Sequence, residues 1–192
     1  MGKDLYQSYP AAKKIYDRAA ELLDFDILAT CFDGPPEKLT QTRFSQPAIF
    51  VTSIAALEVL KSHPKMKEFN PRFAAGLSLG EATALCAAGA ISFDEGVRFV
   101  RSRGQFMDDA AAEHPGLMAA VLGAELSLVE KVCAGTGAEV GNLNAPGQIV
   151  ISGFRKNVEE AIEKLKEAGV RKVITLDVSG GFHSSCMEPA CL

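Results

Sequence analysis

The residue best placed to do chemistry is Ser78, in Gly76-Leu77-Ser78-Leu79-Gly80. A serine on a tight strand-to-helix turn lifts its hydroxyl above the sheet edge, and flanking glycines remove the Cβ clashes such a turn creates. A helix beginning at Leu79 aims its free N–H groups and the positive end of its dipole at the same point. The Leu79 N–H would then stabilise negative charge developing on an attacked carbonyl. The chemistry is nucleophilic attack by serine; the plainer alternative is a glycine-rich turn with an N-capping serine.

A serine nucleophile needs a base, and the chain holds three histidines. His63, in Ser62-His63-Pro64, reads as a solvated helix end, and His114, before Pro115-Gly116, as a surface loop. His183 lies in Gly180-Gly181-Phe182-His183-Ser184-Ser185, after the strongest strand pattern, and is favoured by elimination. Its plainer alternative is a loop histidine with no catalytic partner. An acidic third member is not evident. Asp94 sits in a capping box, Asp108 and Asp109 end a helix, and Asp177 falls in a strand. That counts against an ordinary lipase or esterase. Arg103, in Ser102-Arg103-Gly104-Gln105, could hold a substrate carboxylate by two parallel hydrogen bonds, which lysine cannot reproduce. Chemistry alone leaves open a surface role, the commoner one for helical arginines.

The elements that must position these residues follow from periodicity and breakers. Ile15, Ala19, Leu22 and Leu23 recur at helical spacing after Pro10, and Asp24–Pro36 reads as a turn-rich break. A second helix runs from near Ser45–Pro47 to about Ser62. Phe73-Ala74-Ala75 reads as a short apolar strand entering the Ser78 turn, with an Ala-rich helix to Ala90 after it. Ser92-Phe93-Asp94-Glu95 is a capping box opening a helix to about Ala112. Beyond His114 the character changes. Strands are expected at Leu117–Leu122, Ala138–Asn144, Gln148–Ser152 and Arg171–Val178. A short helix opened by a Ser127–Glu130 capping box and an amphipathic helix at Lys156–Ala168 complete a β-α-β-β-α-β order.

Composition sets the outer bounds. The chain has 192 residues, 47% hydrophobic and 23% charged, with a net charge of −4. These values exclude disordered and low-complexity classes, and the absence of a polybasic run argues against nucleic-acid or anionic-membrane partners. The five cysteines form no CxxC pair, so neither a disulfide framework nor a metal site is indicated. No apolar stretch approaches a membrane span. The expectation is a soluble, cytoplasmic protein without a cofactor or metal, read as a monomer.

Together these motifs resemble the malonyl-CoA:acyl-carrier-protein transacylase family. The resemblance is carried by Phe44-Ser45-Gln46-Pro47-Ala48, Gly76–Glu81, Arg103-Gly104-Gln105-Phe106-Met107 and Pro115–Ala120. It continues through Asn142–Gln148 and Gly181-Phe182-His183-Ser184-Ser185, in the family's order. It implies an α/β fold with an α/β-hydrolase-like body (1–115 and 180–192) and a ferredoxin-like inserted subdomain (116–179). Ser78 becomes the acylated nucleophile and His183 its base. Arg103 clamps the malonyl carboxylate, Leu79 gives an oxyanion N–H, and Met107 and Asn144 line the pocket. The family orients its histidine with a main-chain carbonyl, which accounts for the missing acid.

The implied partners are malonyl-CoA, as a substrate, and acyl carrier protein. The rival classes are a non-catalytic carrier-binding module or fragment, and a serine hydrolase or thioesterase. Leu77 departs from the histidine many members carry there. Against the family the chain also reads as truncated at both ends. It starts downstream of an opening strand and Gly-Gln-Gly-Ser-Gln loop that supplies a second oxyanion donor, and stops at Cys191-Leu192 before the carbonyl that orients the histidine.

Overall fold

In the structure, a computed structural model describing residues 1–66, 68 and 70–191, helices come first and a sheet follows. The chain divides into two compact units, Met1–Gln105 and Phe106–Leu192; Leu192, which closed the expected 180–192 segment, lies outside the described residues. The first unit holds helices α1 (Lys3–Ser8), α2 (Pro10–Leu22), α3 (Ile27–Phe32), α4 (Thr42–Ser62) and α5 (Leu79–Ala87). Helix α6 (Phe93–Glu113) begins in it and ends in the second.

Helix α2 starts on Pro10, whose fixed φ and missing N–H suit the first helical position. It buries Ala12, Tyr16 and Ala19, one stripe at helical spacing. That stripe meets Phe50, Val51 and Ile54 of α4 and Val97 and Val100 of α6 in one apolar core. The Ser92 capping box forms as expected: Glu95 N–H donates to Ser92 Oγ at 3.2 Å, and Ser92 N–H to Glu95 Oε2 at 2.8 Å. The expected break at Asp24–Pro36 instead holds α3, because Asp26 Oδ1 caps it by accepting from the Ala29 N–H at 2.9 Å. One six-residue turn is too short to declare itself by periodicity. Phe73-Ala74-Ala75 forms no strand, and Phe73 is 92% exposed. A strand requires a neighbour to complete its ladder, and the first unit's described residues contain none.

The second unit is built from β1 (Gly116–Leu122), α7 (Leu126–Thr136), β2 (Glu139–Ala145), β3 (Gln148–Phe154), α8 (Arg155–Glu167) and β4 (Lys172–Thr175). The four strands form an antiparallel sheet in the order β2-β3-β1-β4, with Ala119 opposite Ile151 on one side and Thr175 on the other. Side chains alternate across it. Ala119, Val121, Ile149 and Ile151 face Val129 of α7 and Val158, Ala161 and Leu165 of α8. Met118 and Val150 on the opposite face pack with Phe182, Cys186 and Met187. The residues after β4 therefore belong to this unit's packing. Two local expectations fail. Ser127 lies inside α7, whose N-cap is Glu125 without a side-chain bond. The fourth strand also shrinks to Lys172–Thr175, its ladder ending soon after Leu176 N–H reaches Met118 O at 2.9 Å.

Among the described residues, no helix is long and apolar enough to cross a membrane. Leu165 is fully buried where α8 meets the sheet. Leu165→Ala is expected to cost about 2–5 kcal/mol of stability, read as a lowered urea midpoint with an unchanged slope.

Candidate functional site

Ser78 occupies the turn before α5 with φ 54° and ψ −113°, a left-handed conformation that a non-glycine residue rarely adopts. Such a conformation costs about 1–3 kcal/mol and persists only where its surroundings impose it. The turn is tight: Gly80 N–H donates to Leu77 O at 2.9 Å and Glu81 N–H to Ser78 O at 3.1 Å. Gly76 is the glycine this geometry demands, because a Cβ there would lie 1.9 Å from the Gly80 carbonyl. Gly80 is different, since a Cβ on it would meet nothing within 4 Å. Leu79, the first residue of α5, has a backbone N–H with no acceptor inside the helix. An open cavity of about 720 Å³ lies alongside, lined among others by Ile49, Phe73, Leu77, Ser78 and Thr83.

Arg103 reaches this turn from α6. Its Nη2 donates to Ser78 Oγ at 3.1 Å and its Nη1 to Gln46 Oε1 at 2.7 Å. Both acceptors are neutral, and among the described residues Arg103 makes no ion pair. Burial pushes its guanidinium below the ordinary value, and the charge of Glu81 opposes that shift. A partly desolvated cation with no carboxylate partner among the described residues, with donors beside a serine hydroxyl, has the chemistry to hold an anionic oxygen pair.

Helix α4 holds the other end of the arrangement. Gln46 is 5% exposed, so its amide needs an internal partner, which Arg103 provides. Pro47, inside α4, has no N–H, and the carbonyl four residues back, on Arg43, loses its helical donor. Arg101 Nη1 donates to that carbonyl at 3.1 Å. The same guanidinium grips Asp24 through Nε and Nη2, both at 2.8 Å, and holds the Asp24 carboxyl below the usual range. Helices α4 and α6 approach closely at Gly104, where a Cβ would sit 2.4 Å from Thr42 O. Thr42 Oγ1 uses that closeness to donate to Gly104 O at 2.7 Å.

The structure thus brings Ser78, Leu79 and Arg103 together in the first unit. It places His183, Met107 and Asn144 in the second. His183 is exposed and adopts φ 60°, the only positive φ besides Ser78 among described non-glycine residues. Met107 is buried in a cluster with Phe182, and Asn144 is exposed near the end of β2. The other histidines have local roles: His63 Nδ1 accepts the Lys65 N–H at 3.3 Å, and the His114 ring lies 5.7 Å from that of Phe154. Asp94 pairs with Arg18. Sequence reasoning gave Gln46 and Arg101 no role. The signal that could have found them is a proline at a helix interior beside a polar residue on the buried stripe.

Beyond this geometry, the chain belongs to the acyl transferase domain family, whose pattern matches residues 1–191. It is 47% identical over 195 residues to the malonyl CoA-acyl carrier protein transacylase of Bacillus subtilis (strain 168), covering 99% of this chain and 60% of that protein. The crystal structure of the acyl-carrier-protein-S-malonyltransferase from Bartonella henselae superimposes with a TM-score of 0.92 at 37% identity, covering 99% of this chain and 62% of that one. A malonyl-transacylase solved in complex with its type II PKS acyl-carrier protein gives 0.90 at 33% identity, with coverages of 99% and 62%. The chain spans about 60% of the length of the curated relatives it matches.

The two glycines at the site separate steric need from open space. Gly104→Ala is expected to lose about 1–3 kcal/mol by forcing α4 and α6 apart. Gly80→Ala should gain about 0.5–1 kcal/mol through helix propensity. Denaturant melts of the two variants beside the parent check both signs.

Proposed function

We propose that the chain carries the nucleophile and carboxylate seat of a malonyl-CoA:acyl-carrier-protein transacylase. The observation that carries this reading is Arg103 Nη2 on Ser78 Oγ at 3.1 Å, without a carboxylate partner of its own among the described residues. A substrate bearing both a thioester and a free carboxylate satisfies both groups at once. The relatives' names point to the same substrate, malonyl-CoA.

In this mechanism His183 takes the Ser78 Oγ proton as the oxygen attacks the thioester carbonyl. The oxyanion of the tetrahedral adduct is stabilised by the Leu79 N–H and the dipole of α5. Collapse breaks the C–S bond, and coenzyme A leaves as a thiol carrying the proton from His183. Malonyl-Ser78 remains, its carboxylate on Arg103. The phosphopantetheine thiol of acyl carrier protein then gives its proton to His183 and attacks the ester. Ser78 leaves protonated, and the cycle closes. Met107 and Asn144 are assigned to the pocket lining. No cofactor enters, since malonyl-CoA is a substrate. The reading keeps the protein cytoplasmic and monomeric, without nucleic-acid or membrane partners.

We assign residues 1–115 and 180–192 to an α/β-hydrolase-like body and 116–179 to a ferredoxin-like insert. The β-α-β-β-α-β order and the sheet order β2-β3-β1-β4 support the insert. The assignment follows chain connectivity rather than the division at Gln105.

Intact mass after incubation with malonyl-CoA tests the function. The expected result is a single malonyl adduct, absent in Ser78→Ala. Arg103→Ala should lower the preference for malonyl-CoA over acetyl-CoA at least ~30-fold, from about 2–5 kcal/mol of charge-paired hydrogen bonding. Hydrolysis without transfer, unaffected by Arg103→Ala, would identify a serine hydrolase or thioesterase. Carrier-protein binding with no adduct would identify a non-catalytic module.

A further inference from the structure

His183 adopts its left-handed φ of 60° in the loop between β4 and the 3-10 turn Ser185–Cys191. A residue stays there only where its neighbours are fixed, so the fixing groups matter. On the N-terminal side, Ser152 Oγ donates to Phe182 O at 2.6 Å. Ser152 is fully buried, and Phe182 is 9% exposed. On the C-terminal side, Glu139 Oε1 accepts from Ser185 N–H at 2.9 Å and Ser185 Oγ at 2.7 Å. Glu139 and Ser152 are directly opposite each other on β2 and β3. Side chains of opposed residues share one face of a sheet. One cross-strand pair thus grips the main chain immediately before His183 and two residues after it.

The grip is reinforced from within. Ser184 Oγ donates to Gly181 O at 2.6 Å. Gly181 lies so close to the sheet that a Cβ on it would come within 2.6 Å of Gly153 O. The loop therefore lies close against the end of β3 at Gly153.

We infer that Ser152 and Glu139 are positioning residues that set the backbone, and through it the imidazole direction, of His183. This rests on the reading of His183 as the base, but its test does not depend on that reading alone. Neither residue is placed on the reacting atoms; their hydrogen bonds reach the histidine's backbone through residues 182 and 185. Glu139 acts as an acceptor, so an uncharged amide oxygen at the same place should do the same work.

Carbon–proton NMR of the three imidazoles, assigned with His183→Gln, reads the position directly, with His63 and His114 as internal controls. Ser152→Ala and Glu139→Ala are each expected to move the His183 ring signal and leave the other two in place. Glu139→Gln should restore it. Acylation of Ser78 at saturating malonyl-CoA should fall roughly 10- to 100-fold in both alanine variants, with the half-saturating concentration unchanged, and recover in Glu139→Gln. A His183 signal unmoved in folded Glu139→Ala and Ser152→Ala overturns the inference, as does a loss confined to the half-saturating concentration. If the parent takes up no malonyl group, the functional reading fails while the ring signal still decides the positioning.

Discussion

The interaction on which the first unit's site depends is the guanidinium of Arg103 spanning Ser78 Oγ and Gln46 Oε1. It ties a strained turn to a buried amide and leaves a cation beside the Ser78 hydroxyl without a carboxylate among the described residues. A half-buried charge so placed is costly until an anion arrives. In the proposed function that cost favours a substrate with a free carboxylate over one without.

The rest of the first unit makes that span possible. Gly104 permits α6 to run against α4, and Thr42 locks the approach by bonding Gly104 O. Pro47 leaves a carbonyl for Arg101, whose other nitrogens are held by Asp24. Arg101 and Arg103 lie two residues apart and do different work. One repairs a proline defect in the neighbouring helix; the other faces the serine. In the second unit a comparable economy appears, where one opposed pair of side chains, Glu139 and Ser152, fixes both sides of His183.

Much of this was legible in residue order. The Ser92–Glu95 capping box, the Pro10 helix start and the first strand beyond His114 follow local rules, and they form where expected. The Ser78 turn and its helix were readable because Gly76 must be glycine for steric reasons. Gly80, which looked equivalent, has open space around it. What the sequence could not declare is long-range. Gln46 became a site residue only when α6 brought Arg103 to it, 57 positions away. Phe73-Ala74-Ala75 looked like a strand because apolarity is local, whereas a ladder needs a partner. Ser127 matched a capping spacing, yet α7 starts at Leu126 with Glu125 as its N-cap, two residues before Ser127.

In the proposed function Arg103 receives the substrate's carboxylate while Ser78 carries its acyl group. A crystal structure of the protein trapped as its malonyl ester tests this most directly. The expected result is an ester on Ser78 Oγ with both carboxylate oxygens about 2.7–2.9 Å from the Arg103 guanidinium nitrogens. An ester whose carboxylate points to solvent or to another cation, with Arg103 bonded to Gln46 but not to the carboxylate, would contradict it.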